Sequence, residues 1–407
     1  MAENFLIYRS AMRLIFFFCL CLAATSCIRS GTSTATVADM PQPESFAEDT
    51  FLYYPIMDKR IAVDLKKTQK ASIFDYFKHI ELIPLETNEN VLIGRLEKLI
   101  IHQNRFYIFD SHQLTVLVFD ESGKFIFKVG KRGRGPGEFG DLDDVIINPY
   151  TGHLELLNPW GWIYSFYLNG NYIKTSNKIT NRELLVVHRM IALNEKTYVF
   201  YSKYRQPFHV IYYDMEENKV LHQEYEEKHG NNFSDQLFYE YHDQWYFSRL
   251  WDNTTYQLGS NSLIKSYIFD FGKQNYNINK MEMHVEIRDP KNDPRRFAEQ
   301  FPYQIHSQGQ NNRYVMARIR QPRENRRLNI MYDKSSQECK IIERFDESVI
   351  FNPIMVTGEF VLCYCYHGEL EEYVTEEMLD ESNRKKLEAV MKVKHELNPV
   401  IIKYYFK

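Results

Sequence analysis

The stretch Gly135-Pro-Gly-Glu-Phe-Gly140 satisfies the pattern G-x-G-x-x-G, a spacing that lets a tight turn present backbone N–H groups to a pyrophosphate. That chemistry needs a helix to begin where the glycines end, because the helix N-terminus supplies donors and a favourable field. The residues that follow, "DLDDVIINP" from Asp141 to Pro149, hold three aspartates and then a β-branched run closed by proline. They predict a strand and not a helix. The glycines are therefore read as a chain reversal, in which Gly133, Gly135 and Gly137 can take positive φ while Pro136 fixes its own. No nucleotide or other cofactor is expected.

Other groups with chemical potential are weighed in the same way. Asp141, Asp143 and Asp144 offer oxygen ligands for Ca²⁺, but without a glycine-turn ligand loop they read as the solvated start of a strand. The histidines His102, His153, His188, His209, His242 and His306 lie in different segments with no repeating offset, so no metal site is expected. Cys363 and Cys365, in the strand-like "VLCYCY", point to one face and read as small core residues; with Cys339 they make an odd three, which is no disulfide framework. Flat rings beside polar groups suit a sugar or a peptide, which singles out Trp160 and Trp162 in "NPWGWIYSFY" and Trp245, Arg249 and Trp251 in "YEYHDQWYFSRLW". Rings of this kind also glue sheets together. The run "RYVMARIRQPRENRR", with Arg313, Arg318, Arg320, Arg323, Arg326 and Arg327, has the forked donors that recognise anions, and reads more simply as the exposed face and turn of a hairpin.

Composition narrows the partners. With 50 basic and 54 acidic side chains, a net charge of −4, nothing calls for a nucleic-acid partner. At the N-terminus Arg9 and Arg13 precede the apolar "LIFFFCLCLAA", and "ATSC" follows, ending at Cys27. The apolar run is about 11 residues, short of the roughly 20 a spanning helix needs. Residues 1–26 are read as a lipoprotein signal peptide, with Met12 as a second possible start, and Cys27 as the site of lipid attachment. Residues 27–59, rich in Ser, Thr, Ala and Pro, read as a flexible tether, and 60–407 as the folded part. The expected location is the cell envelope, lipid-anchored to the outer membrane and facing the periplasm, because "IRSGTS" after Cys27 lacks an acidic run.

What positions these side chains is a repeat. From Leu92, four apolar runs separated by turn residues occupy "RLEKLIIHQ", "RFYIFDS", "LTVLVFDESG" and "KFIFKVG", about 38 residues, the length of a four-stranded propeller blade. The scheme recurs in "DVIINP" through "NYIKTS" and in "VVHRMIALN" through "KVLHQEY", then in looser form three more times. The prediction is all-β: a six-bladed β-propeller of four-stranded antiparallel blades. An inter-blade insertion is expected over Asn279–Phe301, one or two C-terminal helices over Glu369–Val400, and closure by pairing of Val400–Phe406 with "RIAVDL" or "HIELIPLE" near the N-terminus.

Here a resemblance enters. "GKRGRGPGEFGDLDDVIIN" resembles the inter-blade motif of NHL-like propellers, and "IELIPLETNENVLIGRLEKLI" and "LNPVIIKYYFK" resemble six-bladed β-propeller lipoproteins of Gram-negative gut anaerobes. The likeness runs from His79 to Lys407. It implies an envelope protein that binds a glycan, peptide or envelope protein, or acts as a scaffold, and it carries over no catalytic residue. Related six-bladed propellers include lyases and esterases with a metal in the central channel, so an envelope hydrolase or lyase stands as the alternative.

Overall fold

Alternation along single strands builds the molecule. In Arg105–Asp110, Phe106 and Ile108 enter one apolar cluster while their neighbours Tyr107 and Phe109 enter the next, so both faces of the strand are buried. A sheet buried on both faces must lie between two others.

The structure, a computed structural model, describes residues 59–176, 179, 186–202, 208–226, 237–276, 302–322, 324–393 and 397–407. The expected signal segment, Cys27, the expected tether up to residue 58, Arg323 and the expected insertion Asn279–Phe301 lie outside these. Each blade has four strands, ordered from the axis outwards. Blade 1 comprises Leu96–His102, Arg105–Asp110, Thr115–Asp120 and Phe125–Val129; blade 2 comprises Asp144–Ile147, Leu154–Leu157, Ile163–Phe166 and Tyr172–Thr175. Blade 3 runs through Arg189–Ala192, Thr197–Tyr201, Phe208–Asp214 and Lys219–Glu226, and blade 4 through Phe238–Tyr241, Gln244–Phe247, Thr254–Leu258 and Leu263–Asp270. Blade 5 holds Gln304–Gln310, Tyr314–Gln321, Arg326–Asp333 and Glu338–Phe345. Blade 6 takes Met355–Val356, Phe360–Cys365 and Val400–Phe406 from the C-terminal part and Phe77–Pro84 from the N-terminal part. Six apolar clusters result, one between each pair of neighbours, including blade 6 against blade 1 through Ile83, Leu362 and Ile401 with Leu99, Phe106 and Ile108.

Closure uses "HIELIPLE", which pairs antiparallel with Val400–Phe406, as expected. "RIAVDL" does not pair there. Arg60–Ala62 instead lies parallel to Leu263–Asp270 on the outer edge of blade 4, and Thr68–Ala71 lies parallel to Glu338–Phe345 on blade 5. An edge strand offers a row of open N–H and C=O groups, and these short additions cover two such edges. The helix α1, Glu381–Met391, covers a third. Asp380 caps its first turn by accepting from Asn383 N, and the Asn383 amide then accepts from Leu82 N and donates to Ile80 O on the outer strand of blade 6. Cys363 and Cys365 are buried beside it in the core between blades 5 and 6, where burial pushes the Cys363 thiol up to about 12.

The glycine-rich segment is a turn. Glu138 N donates to Gly135 O at 3.0 Å, placing Pro136 and Gly137 at the two central positions, and the φ of +70° at Gly137 is what a type II turn demands of the second. Gly133 is kept bare for a different reason: a Cβ there would lie 2.0 Å from Glu138 Oε2, the oxygen that accepts from Arg134 N and Gly135 N. After Phe139 the chain proceeds to the inner strand of blade 2, and no helix begins.

Candidate functional site

Innermost strands face the axis and so cannot be wholly apolar. They line a channel of about 1110 Å³, reached by side chains from all six blades. Every blade repeats the same order, so all inner strands start at one mouth of this channel and end at the other. Five of its lining residues are Lys or Arg and five are Asp or Glu: all five bases and two of the acids lie at the first mouth, and the other three acids lie at the opposite one.

At the first mouth, on the side of blades 1 to 3, opposite charges are paired. Lys98 Nζ donates to Asp144 Oδ1 at 2.7 Å, and the other carboxylate oxygen of Asp144 accepts from Met190 N at 2.8 Å. Arg189, 8% exposed in its side chain, reaches Glu97 Oε1 at 2.9 Å and the carbonyl of Asp143 at 2.6 Å. One aspartate and one arginine thus tie three blades together. Asp144, expected in solvent with Asp141 and Asp143, is buried in this network; Asp141 alone of the three is exposed.

The same mouth on the side of blades 5 and 6 is different. His306 faces Arg318 across the first two strands of blade 5, and Arg320 faces Arg327 across the second and third. Arg318 and Arg320 share a face of their strand, turned toward blade 6, while Val315, Ala317 and Ile319 pack toward blade 4. Arg318 Nη1 donates to Asn352 Oδ1, a neutral acceptor at the start of blade 6, and burial pushes its guanidinium below the usual range. His306 is pushed down to about 4, by burial first and then by Arg318, Arg320 and Arg327.

The opposite mouth is acidic. Glu240, Asp243 and Glu359 line it, and the Glu240 carboxyl is raised by loss of hydration and by the charge of Asp243. Nearby, His242 Nε2 lies 2.6 Å from Asn312 Oδ1. Behind this rim Lys334 is buried, its amine 4.3 Å from the Tyr241 ring centre and donating to Gln310 Oε1 and the Asn311 carbonyl; burial pushes it down to about 7.

The aromatic candidates are scattered. Trp245 lines the channel. Arg249 and Trp251 are buried, the Arg249 guanidinium 5.3 Å from the ring centre of Tyr201 on blade 3. Trp160 is 52% exposed in the turn between the second and third strands of blade 2; Trp162 lies half-buried just before Ile163–Phe166, so the pair does not share a strand face. The arginine run divides. Arg313 bonds Asp333 at 3.0 Å and Arg326 reaches Glu324 and Glu343 at 3.1 and 3.5 Å, as an exposed hairpin requires, whereas Arg318, Arg320 and Arg327 line the channel. Period-2 alternation in "VMARIRQ" already puts Arg318 and Arg320 on one face in the sequence. Glu97, Lys98 and Arg189 give no comparable signal, because their partners lie on other blades.

Six four-stranded blades around an open axial channel define a six-bladed β-propeller. The chain belongs to the family described as Domain of unknown function (DUF4934), whose model matches residues 59–405. Among solved structures it is similar to a Bacteroides fragilis protein named as exported, at 13% identity and a TM-score of 0.67, covering 86% of this chain and 99% of that one. It is also similar to a member of the DUF4221 family from Bacteroides vulgatus, at 10% identity and a TM-score of 0.51, covering 81% and 96%. At these identities the likeness speaks for the fold. Among curated proteins there is no match.

Proposed function

We propose that this chain is a non-catalytic propeller of the cell envelope that binds a ligand in its axial channel, with a glycan, a peptide or an envelope protein as partner. The observation that carries this reading is the channel itself. Its volume of about 1110 Å³ lies just above the roughly 300–1,000 Å³ of small-molecule sites, and among the described residues its lining charges that stand outside ion pairs are basic at one mouth and acidic at the other. The competing reading, a hydrolase or lyase with a channel metal, calls for three or more converging His or carboxylate ligands. Among the described residues no group of three His, Cys, Asp or Glu is placed to hold a metal ion.

Location is part of the proposal. The apolar leader and "ATSC" support attachment of lipid at Cys27 and an outer-membrane anchor facing the periplasm, and a structural neighbour named as exported agrees with an envelope or secreted address. Kinship with NHL-like propellers rests on the motif around Gly133–Gly137.

Two experiments test the reading. Screening the purified full chain against glycan and peptide arrays is expected to return saturable binding without turnover; stoichiometric metal together with hydrolysis or elimination of a bound glycan would replace it with the enzyme reading. Metabolic labelling with a palmitate analogue is expected to mark the wild type and not Cys27→Ala. Equal labelling of both would remove the anchor.

A further inference from the structure

Three arginines at one mouth of the channel stand close together without acidic company among the described residues. Arg320 and Arg327 are directly opposite on adjacent strands, where side chains begin about 5 Å apart and like charges destabilise the pair. Arg318 is on the same face, one alternation along from Arg320. Among the described residues no carboxylate lies within ion-pairing distance of any of the three, and the one hydrogen-bond partner of Arg318 is the uncharged Asn352. The same hairpin neutralises Arg313 with Asp333 and Arg326 with Glu324 and Glu343, so carboxylates are at hand where the fold uses them.

We propose that Arg318, Arg320 and Arg327 form a subsite at the blade 5–6 mouth of the channel for an anionic group of the ligand, a carboxylate, sulfate or phosphate. This rests on the channel-binding reading above and adds the ligand's charge and its orientation. Guanidinium groups offer planar forks that match such oxygens two at a time, and the mutual repulsion of the three is relieved when a negative group sits among them. Asn352 holds Arg318 in place before the ligand arrives. His306, opposite Arg318, reports the same field: the three guanidinium groups add to burial in keeping its ring neutral at pH 7. Glu240, Asp243 and Glu359 at the far mouth repel an anion, so the ligand enters with its charged group toward blades 5 and 6.

The test is calorimetry on the full chain with four probes: inorganic sulfate, inorganic phosphate, a uronic-acid trisaccharide and a neutral trisaccharide of the same length. At least one anionic probe is expected to bind, to weaken steeply with added NaCl, and to lose about tenfold or more in affinity in Arg320→Gln/Arg327→Gln. The control Arg313→Gln/Arg326→Gln, which removes the same charge outside the channel, is expected to leave that affinity within about twofold, and thermal unfolding checks that both variants fold. If the trisaccharide alone binds among the anions, a carboxylate is the group; if sulfate or phosphate binds, the free anion suffices. Equal anion affinity in the two double variants overturns the subsite. Binding of the neutral trisaccharide with no preference for the charged one also overturns it and leaves the channel reading standing, whereas a chain that binds none of the four and nothing on the arrays loses both.

Discussion

Blades 1 to 3 and blades 5 to 6 furnish the same mouth of one channel and treat charge in opposite ways. On the first side Glu97, Lys98, Asp144 and Arg189 neutralise one another within hydrogen-bond distance and link three blades. On the second, Arg318, Arg320 and Arg327 collect on one face with His306 and no carboxylate among the described residues. The difference separates two uses of a polar side chain in an inner strand. Paired charges fix how neighbouring blades sit; uncompensated ones lower the stability of the empty protein and keep a donor set ready for something else.

The contrast can be broken from either side. Arg189→Ala leaves Glu97 with only Ser111 and the exposed Arg95 as side-chain partners and should destabilise by about 1.5–3 kcal/mol in chemical denaturation; a loss under 1 kcal/mol would show that the first side is no tighter than an exposed pair. His306 comes next. Its folded pKa of about 4 lies below the unfolded 6.5, so between those values the unfolded chain takes up a proton that the folded chain refuses, and stability falls as pH drops from about 6.5 to 4. The full shift corresponds to roughly 3 kcal/mol. In denaturation curves at pH 7 and 4.5, His306→Gln should lose much of that dependence, and an unchanged dependence would show that the ring is not held neutral by burial beside the arginines.

Smaller effects sharpen the same contrast. Arg320→Gln/Arg327→Gln should leave stability unchanged or raise it by about 0.2–1 kcal/mol, the opposite sign to Arg189→Ala, because a directly opposed like-charge pair is removed. A clear loss would mean that the two side chains do structural work through their stems. Trp160→Ala, on an exposed turn away from both sides, should change stability by less than about 0.5 kcal/mol. A fall in glycan affinity in that variant would bring the blade 2 rim into the site.

The ring was legible where strands alternate over long apolar runs and end in turn residues, as in "RFYIFDS" and "LTVLVFDESG" of blade 1. It was less so on the axis. Gln304–Gln310, "QIHSQGQ", and Phe238–Tyr241 are inner strands that face the channel, and their polar residues break the apolar signal that marks a strand. The parallel addition of Arg60–Ala62 to blade 4 was hidden because a strand this short fits several edges equally well, and only the path of the chain to Phe77 selects one. Of the site, the arginine run stood out in the sequence as a cluster; its division into channel and surface members follows from strand register, which sequence alone leaves open.

One consequence of the N-terminal course concerns the time order of assembly. Arg60–Ala62, Thr68–Ala71 and Phe77–Pro84 leave the ribosome before the blades they complete, and their partners extend to Phe406 at the far end of the chain. A growing polypeptide can therefore form hairpins but has no way to shut the circle until its last strand is released. Any product that stops short of Val400 can still dock Arg60–Ala62 and Thr68–Ala71 on blades 4 and 5, but Phe77–Pro84 is left waiting and the seam between blades 6 and 1 stays open to water.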